Sequence, residues 1–244
     1  MRIIFVAATY CMSLTLASAQ SQGQIDRADP PQISDQTDDN LAKGVQDNSF
    51  LIEEAYNQES GVVQGIATLR GQGRDRFFAF TNEIPFGSQK HQLSYVLPYS
   101  VLRNIDQNSR GIGDILLNYR YQALFERNNT PAFAPRISLI LPTGNFRKGT
   151  GNGSFGFQSN LPFSKVVSNR VTLHTNAGLT SLFDVAGRSP TSFNLGGSVI
   201  YAVTRDFNVL FETVGERVET VNATRGIDHE YALTISPGLA TPST

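Results

Sequence analysis

From about residue 61 onward, apolar and polar side chains change places at nearly every step, and a period of two leaves sheet as the only regular fold available. In the run Ile115 to Phe125, the residues Ile115, Leu117, Tyr119, Tyr121, Ala123 and Phe125 fall on one face. Leu116, Asn118, Arg120, Gln122 and Leu124 fall on the other. Successive side chains of a strand point to opposite faces, so this pattern predicts a strand with one apolar and one polar side. Its length suits a tilted transmembrane strand, which needs roughly 9–11 residues. Pro135 to Leu141 repeats the pattern, with Ile137, Leu139 and Leu141 set against Arg136, Ser138 and Ile140. So do Val171 to Leu179, with Thr172, His174 and Asn176 on the polar face, and Phe207 to Glu212. Leu93 to Tyr99 and Glu230 to Ile235 add two more. Turn signals separate the runs at Gly71-Gln72-Gly73, Asn108 to Gly113, Arg127 to Pro131, Gly149 to Gly153, Gly187 to Pro190 and Arg225 to Asp228. About ten strands result, at the spacing of an up-and-down barrel, and no segment between them has a helical period.

Alternation alone does not separate a membrane barrel from a soluble sandwich or a lipocalin-like barrel, which also keep one apolar and one polar face. Composition favours the membrane. Hydrophobic residues make up 40% and charged residues 17%, a chain poor in both, as expected when lipid-facing and water-facing positions alternate. Tyr95, Tyr99, Tyr119, Tyr121, Phe125 and Tyr201 lie near strand ends and suit interfacial girdles, although tryptophan, the usual girdle residue, is absent. A net charge of −1 gives no footprint for nucleic acid.

The first residues read as an export signal. Arg2 supplies a positive start, Ile3 to Leu16 an apolar stretch, and Ala17-Ser18-Ala19 a small-x-small cleavage pattern. Domain boundaries follow: a signal peptide over 1–19, a flexible polar leader over 20–50, and a barrel domain over 51–244. Residues 49–59 read as a short helix or turn leading into the first strand; a connector is favoured there over a plug. The only cysteine, Cys11, lies inside the signal, so the mature chain would have no thiol chemistry.

FAFTNEIPFG at 78–87, HQLSYVLPYS at 91–100, GIGDILLNYRYQAL at 111–124 and the stretch from Ala134 to Lys165 resemble an outer-membrane family associated with the meta pathway of phenol degradation. The most specific pieces are Gly111-Ile112-Gly113-Asp114 opening a strand and Leu141-Pro142-Thr143-Gly144 closing one. The resemblance implies an all-β fold, an antiparallel up-and-down outer-membrane barrel of about twelve strands if complete. It further implies a transporter for small solutes, aromatic or otherwise apolar. Family members continue past Ser236-Pro237-Gly238 to an aromatic last residue, whereas this chain stops at Thr244, so it reads as truncated. In physical terms Pro142 ends a strand, Gly144 lets the chain turn through positive φ, and Asp114 accepts turn hydrogen bonds.

Five charged or titratable residues sit on polar faces and are the candidate lumen lining: Glu83, Arg120, Arg136, His174 and Glu212. An arginine on the lipid side costs about 2–4 kcal/mol at mid-membrane, so the arginines are expected to point inward. There they either brace the barrel by salt bridges or line a solute path. Glu53 and Glu54 are expected to be solvated surface charges. His91, His174 and His229 show no metal-ligand spacing, and no nucleophile elbow occurs. No enzyme activity and no cofactor are expected. The expected partners are outer-membrane lipids, a small-molecule solute and the barrel-assembly machinery of a Gram-negative bacterium, with no nucleic acid.

Overall fold

The computed structural model describes residues 3–5, 10–19, 49–103, 108–205 and 207–240. The chain is all-β. Its strands are β1 (Ile3–Phe5), β2 (Tyr10–Ala19), β3 (Val62–Gln72), β4 (Asp75–Phe86), β5 (Ser88–Arg103), β6 (Asn108–Ile112) and β7 (Ile115–Tyr121). They continue as β8 (Ala132–Phe133), β9 (Arg136–Leu141), β10 (Gly156–Ser168), β11 (Val171–Leu182), β12 (Thr191–Ala202), β13 (Asn208–Val221) and β14 (Ile227–Ala240). From β3 to β14 the wall runs antiparallel in chain order, β3-β4-β5-β7-β9-β10-β11-β12-β13-β14, the up-and-down order expected. Two strands are interrupted: β6 and β7 both pair with β5, and β8 and β9 both pair with β10. The sheet curls strongly, through 248°, as an open, barrel-like arc.

The two ends of the strand path belong to the first nineteen residues. β2 pairs antiparallel with β3, and the short β1 pairs parallel with β14. These residues therefore cover both sheet edges, whose N–H and C=O groups would otherwise lack ladder partners. Most of the polar leader read over 20–50 lies outside the described residues.

The sheet is inside out relative to a soluble domain. Among the described residues, most buried side chains are polar, including Gln92, Arg120, Asn160, His174 and Glu212. The large apolar side chains are exposed instead: Leu93, Leu117, Ile137, Leu139, Leu195 and Ile235 all stand on the outer face. Two rings of exposed aromatic residues flank this aliphatic band. Phe78, Tyr99, Phe157, Phe193 and Tyr231 lie towards one rim, and Phe86, Tyr121, Phe163, Tyr201 and Phe207 towards the other. The predicted Ile115–Phe125 strand ends earlier, at Tyr121; Gln122 still donates its backbone N–H to the Lys90 carbonyl of β5 (2.8 Å), but Leu124 leaves that ladder. Leu124 makes a bridge to Phe133 instead.

The family-like glycine motifs fold as one unit. Asp114, at the break between β6 and β7, accepts the backbone N–H of Gly144 (3.0 Å) and of Asn152 (2.6 Å). The long loop between β9 and β10, with its 3₁₀ turn Phe146–Lys148, is thereby tied to the wall. Gly144 does not adopt the positive φ expected of it; Gly149 and Gly153 do. What Gly144 supplies is closeness, since a Cβ there would meet the Gly151 Cα at 2.6 Å.

Candidate functional site: a chain segment held in the lumen

Residues 49–58 form neither helix nor strand. They run across the concave face of the sheet, and the wall's inward polar side chains serve their backbone. They are no simple connector. Glu212 on β13 accepts the N–H groups of Phe50, Leu51 and Ile52 at 3.1–3.3 Å. Asn176 on β11 donates to the carbonyl of Glu53 (2.8 Å). Ser164 on β10 accepts the Ala55 N–H (2.8 Å), and Gln122 both accepts the Asn57 N–H (2.9 Å) and donates to the Ala55 carbonyl (2.8 Å). Gln92 on β5 accepts the Gln58 N–H (2.8 Å). A chain in this place has no sheet ladder, so every backbone group must find a side chain or water. The wall supplies those side chains strand by strand.

Glu53 is the centre of the charge network. In the register of β7 and β9, Arg120 stands directly opposite Arg136 on the inner face. Like charges so placed repel, and this pair requires an anion between them. Glu53 supplies it, with its carboxylate 3.1 Å from the Arg120 guanidinium and 2.8 Å from that of Arg136. Asn160 donates a further bond at 2.6 Å. Burial alone would raise the Glu53 pKa, but Arg136 and Arg120, with the Asn160 and Arg136 hydrogen bonds, hold it below the ordinary carboxylate value. Glu83 on β4 completes the network at 3.3 Å from Arg120. Glu53 and Glu54 are thus not the solvated surface charges expected. Glu54 is buried and lies 3.9 Å from the His174 ring.

All five predicted lining residues, Glu83, Arg120, Arg136, His174 and Glu212, lie on the inner face beside this segment. Arg120 donates to the Tyr56 carbonyl (2.8 Å). The Glu83 carboxylate accepts a long bond from Gln58 (3.4 Å). Arg136 also donates to Asn118 (3.2 Å), Gln158 (3.1 Å) and Ser138. His174 hydrogen-bonds with Ser164 through Nδ1 (2.7 Å). Ser164, His174 and Glu54 form a chain of the residue types used in nucleophilic catalysis, yet the serine hydroxyl is wedged between the imidazole and the Ala55 N–H. Both Ser164 and His174 are 1% exposed, so the group holds the segment in place. Tyr56 points its phenol at Glu126 (2.6 Å), which also pairs with Lys165 (2.8 Å). Burial and the Glu126 carboxylate push the Tyr56 pKa well up, keeping the phenol a donor. Among the described residues, no three His, Cys, Asp or Glu side chains gather as a metal site.

Two glycines shape the wall to the segment. A Cβ on Gly196 would stand 2.5 Å from Ile52 Cδ1, and one on Gly238 would stand 2.9 Å from the Phe50 ring. What space remains beside the segment includes two small cavities. One, of about 170 Å³, borders Glu53, Arg136, Asn160 and Asn194. The other, of about 180 Å³, borders Phe50, Gln64, Glu83 and Arg120.

A curled meander with polar side chains within, apolar ones without, and its own chain packed in the concavity defines a β-barrel-like wall protein with a filled interior. A family model described as "Putative MetA-pathway of phenol degradation" matches residues 34–241, and the chain belongs to that family. The match gives no support to the expectation that the chain is truncated. No curated protein matches the chain.

Proposed function

We propose that this protein is an outer-membrane barrel of a Gram-negative bacterium through which a small solute diffuses, and that residues 49–58 close its lumen. The observation that carries the membrane reading is the inverted surface: an aliphatic band between two aromatic rings outside, and a hydrogen-bonded polar lining inside. The partners are then outer-membrane lipids and, during insertion, the barrel-assembly machinery. Residues 1–19 act as an export signal removed on the way, which brings β3 and β14 to the seam. Family membership supports an aromatic or otherwise apolar solute. The lining acts by positioning and not by chemistry, since its one serine–histidine pair is occupied by the backbone it holds, and no enzyme activity is assigned.

The test begins with the mobility of the detergent-extracted outer-membrane fraction, with and without boiling, and the intact mass of the exported chain. A heat-dependent shift and a mature start at Gln20 are expected. Conductance in planar bilayers then compares the whole chain with a variant lacking residues 49–58. Conductance that appears only on deletion supports a closable conduit. The density of bonds to residues 49–58 favours a second reading, a structural barrel that is permanently filled. Silence from both inserted chains would establish that reading and refute transport.

A further inference from the structure

At the rim that carries the longest loop, 142–155, three arginines face outward. Arg76 on β4 lies opposite Val101 on β5, which lies opposite Arg110 on β6. One pleat lower on the same outward face, Phe78 lies opposite Tyr99, and Tyr99 opposite Ile112; these are 43%, 38% and 58% exposed. Alternation along β5 places Arg103 on the outer face too, two residues beyond Val101. A cationic row therefore stands directly above the apolar band, on the outside of the wall. Among the described residues none of the three guanidiniums has an ion-pair partner. Arg76 donates to the Gly73 and Asp75 carbonyls (3.0 and 2.8 Å), and the Asp75 carboxylate accepts the Arg103 backbone N–H (2.7 Å). Beside them an open cleft of about 490 Å³ is lined by Val101, Arg103, Asn108, Ser109 and Arg110.

We propose that this cleft binds the phosphorylated headgroup of an anionic membrane lipid. Guanidinium groups match phosphate oxygens in geometry and charge. Cations just above an apolar band stand at headgroup depth, where each interacts with lipid phosphate. A free anion would need only the arginines, whereas Tyr99 and Ile112 below them provide a surface for an acyl chain. The longest loop, 142–155, marks this rim as the cell-exterior one, so the ligand belongs to the outer leaflet. The proposal rests on the membrane reading above.

The test uses the full chain in detergent, first checked for its heat-dependent gel shift. Lipid A is then titrated and its retention read by native mass spectrometry. The variant R103A/R110A removes two of the arginines and leaves Arg76 to cap its turn. K90A/R127A removes two cations from the opposite rim as the charge-matched control. The wild type and the control are expected to retain lipid A. R103A/R110A should bind it roughly tenfold more weakly, the equivalent of one charge-assisted contact. Equal retention by both variants would overturn the site, and so would retention of dephosphorylated lipid A with undiminished strength. Displacement of lipid A by inorganic phosphate would overturn the lipid in favour of a free-anion site. Absence of the gel shift would overturn the membrane reading and the site together, and is seen before any lipid is added.

Discussion

Replacing Glu53 by glutamine should release residues 49–58 from the wall. The substitution nearly keeps the side chain's volume, removes its charge and turns one acceptor oxygen into an amide donor. In the structure that charge faces Arg120 at 3.1 Å and Arg136 at 2.8 Å. With an effective dielectric of about 20, each contact is worth roughly 5–6 kcal/mol before desolvation is counted. Burying the carboxylate takes back several kcal/mol, and removing one member of a buried ion pair costs about 3–5 kcal/mol. Released arginines would face a lumen that water can enter, which reduces the loss. We expect docking to weaken by about 2–3 kcal/mol, roughly 30- to 150-fold in the docking equilibrium. The reporter is a cysteine in place of Ile52, buried against the wall at 5% exposure. Its rate of labelling by a water-soluble maleimide measures the undocked fraction. Glu59→Gln, on an exposed side chain just beyond the segment, is the control and should not change the rate. A Glu53→Gln rate equal to that of the parent would refute the view that the Arg120–Glu53–Arg136 network holds the segment.

The same carboxylate sets the expected dependence on pH. Because the Glu53 pKa is depressed in the docked state, docking is fully stabilised above the ordinary carboxylate value of about 4.3 and is lost as pH falls through the depressed one. The ratio of the Glu53→Gln labelling rate to the parent's, in which the falling thiolate fraction cancels, should thus be high and flat from neutral pH to about 5 and drop towards one in stronger acid, and a ratio flat throughout would contradict this. At Glu212, which accepts three successive backbone N–H groups, alanine should be worse than glutamine. Each orphaned donor costs about 1–3 kcal/mol, and the amide still offers one acceptor oxygen. Equal labelling rates in the two variants would argue against that contact. Gly196→Ala, read with the cysteine moved to Leu51 so that Ile52 is intact, should also loosen the segment by a moderate and measurable factor, because its Cβ would meet Ile52 Cδ1; Gly215→Ala, whose nearest contact is 3.8 Å away, should not.

The wall was legible in the sequence because alternation is local. Arg120, Asn118 and Gln122 can be assigned to the face opposite Leu117 and Tyr121 from their spacing alone, and the burial of these residues follows the assignment. The filling of the lumen was not legible, for two physical reasons. The segment from Ser49 to Gln58 has no period, and its bonds reach strands as far away in sequence as β13. The second reason is register. That Arg120 faces Arg136 depends on how β7 pairs with β9, which neither strand's sequence states. Adjacent glutamates were read as solvated because neighbours in sequence do not converge. On an extended chain they diverge instead, and divergence is what this lumen uses: Glu53 turns to the two arginines while Glu54 turns to His174. A signal was present, in the acidic pair set within the mostly apolar FLIEEAY just before the first barrel strand. Two inward arginines placed opposite one another form a wall that is unfavourable when empty, and an anion must occupy the gap. If a solute passes through this lumen, it has to displace Glu53 or supply a group that serves the same guanidiniums. The arginine pair therefore couples closure to whatever enters.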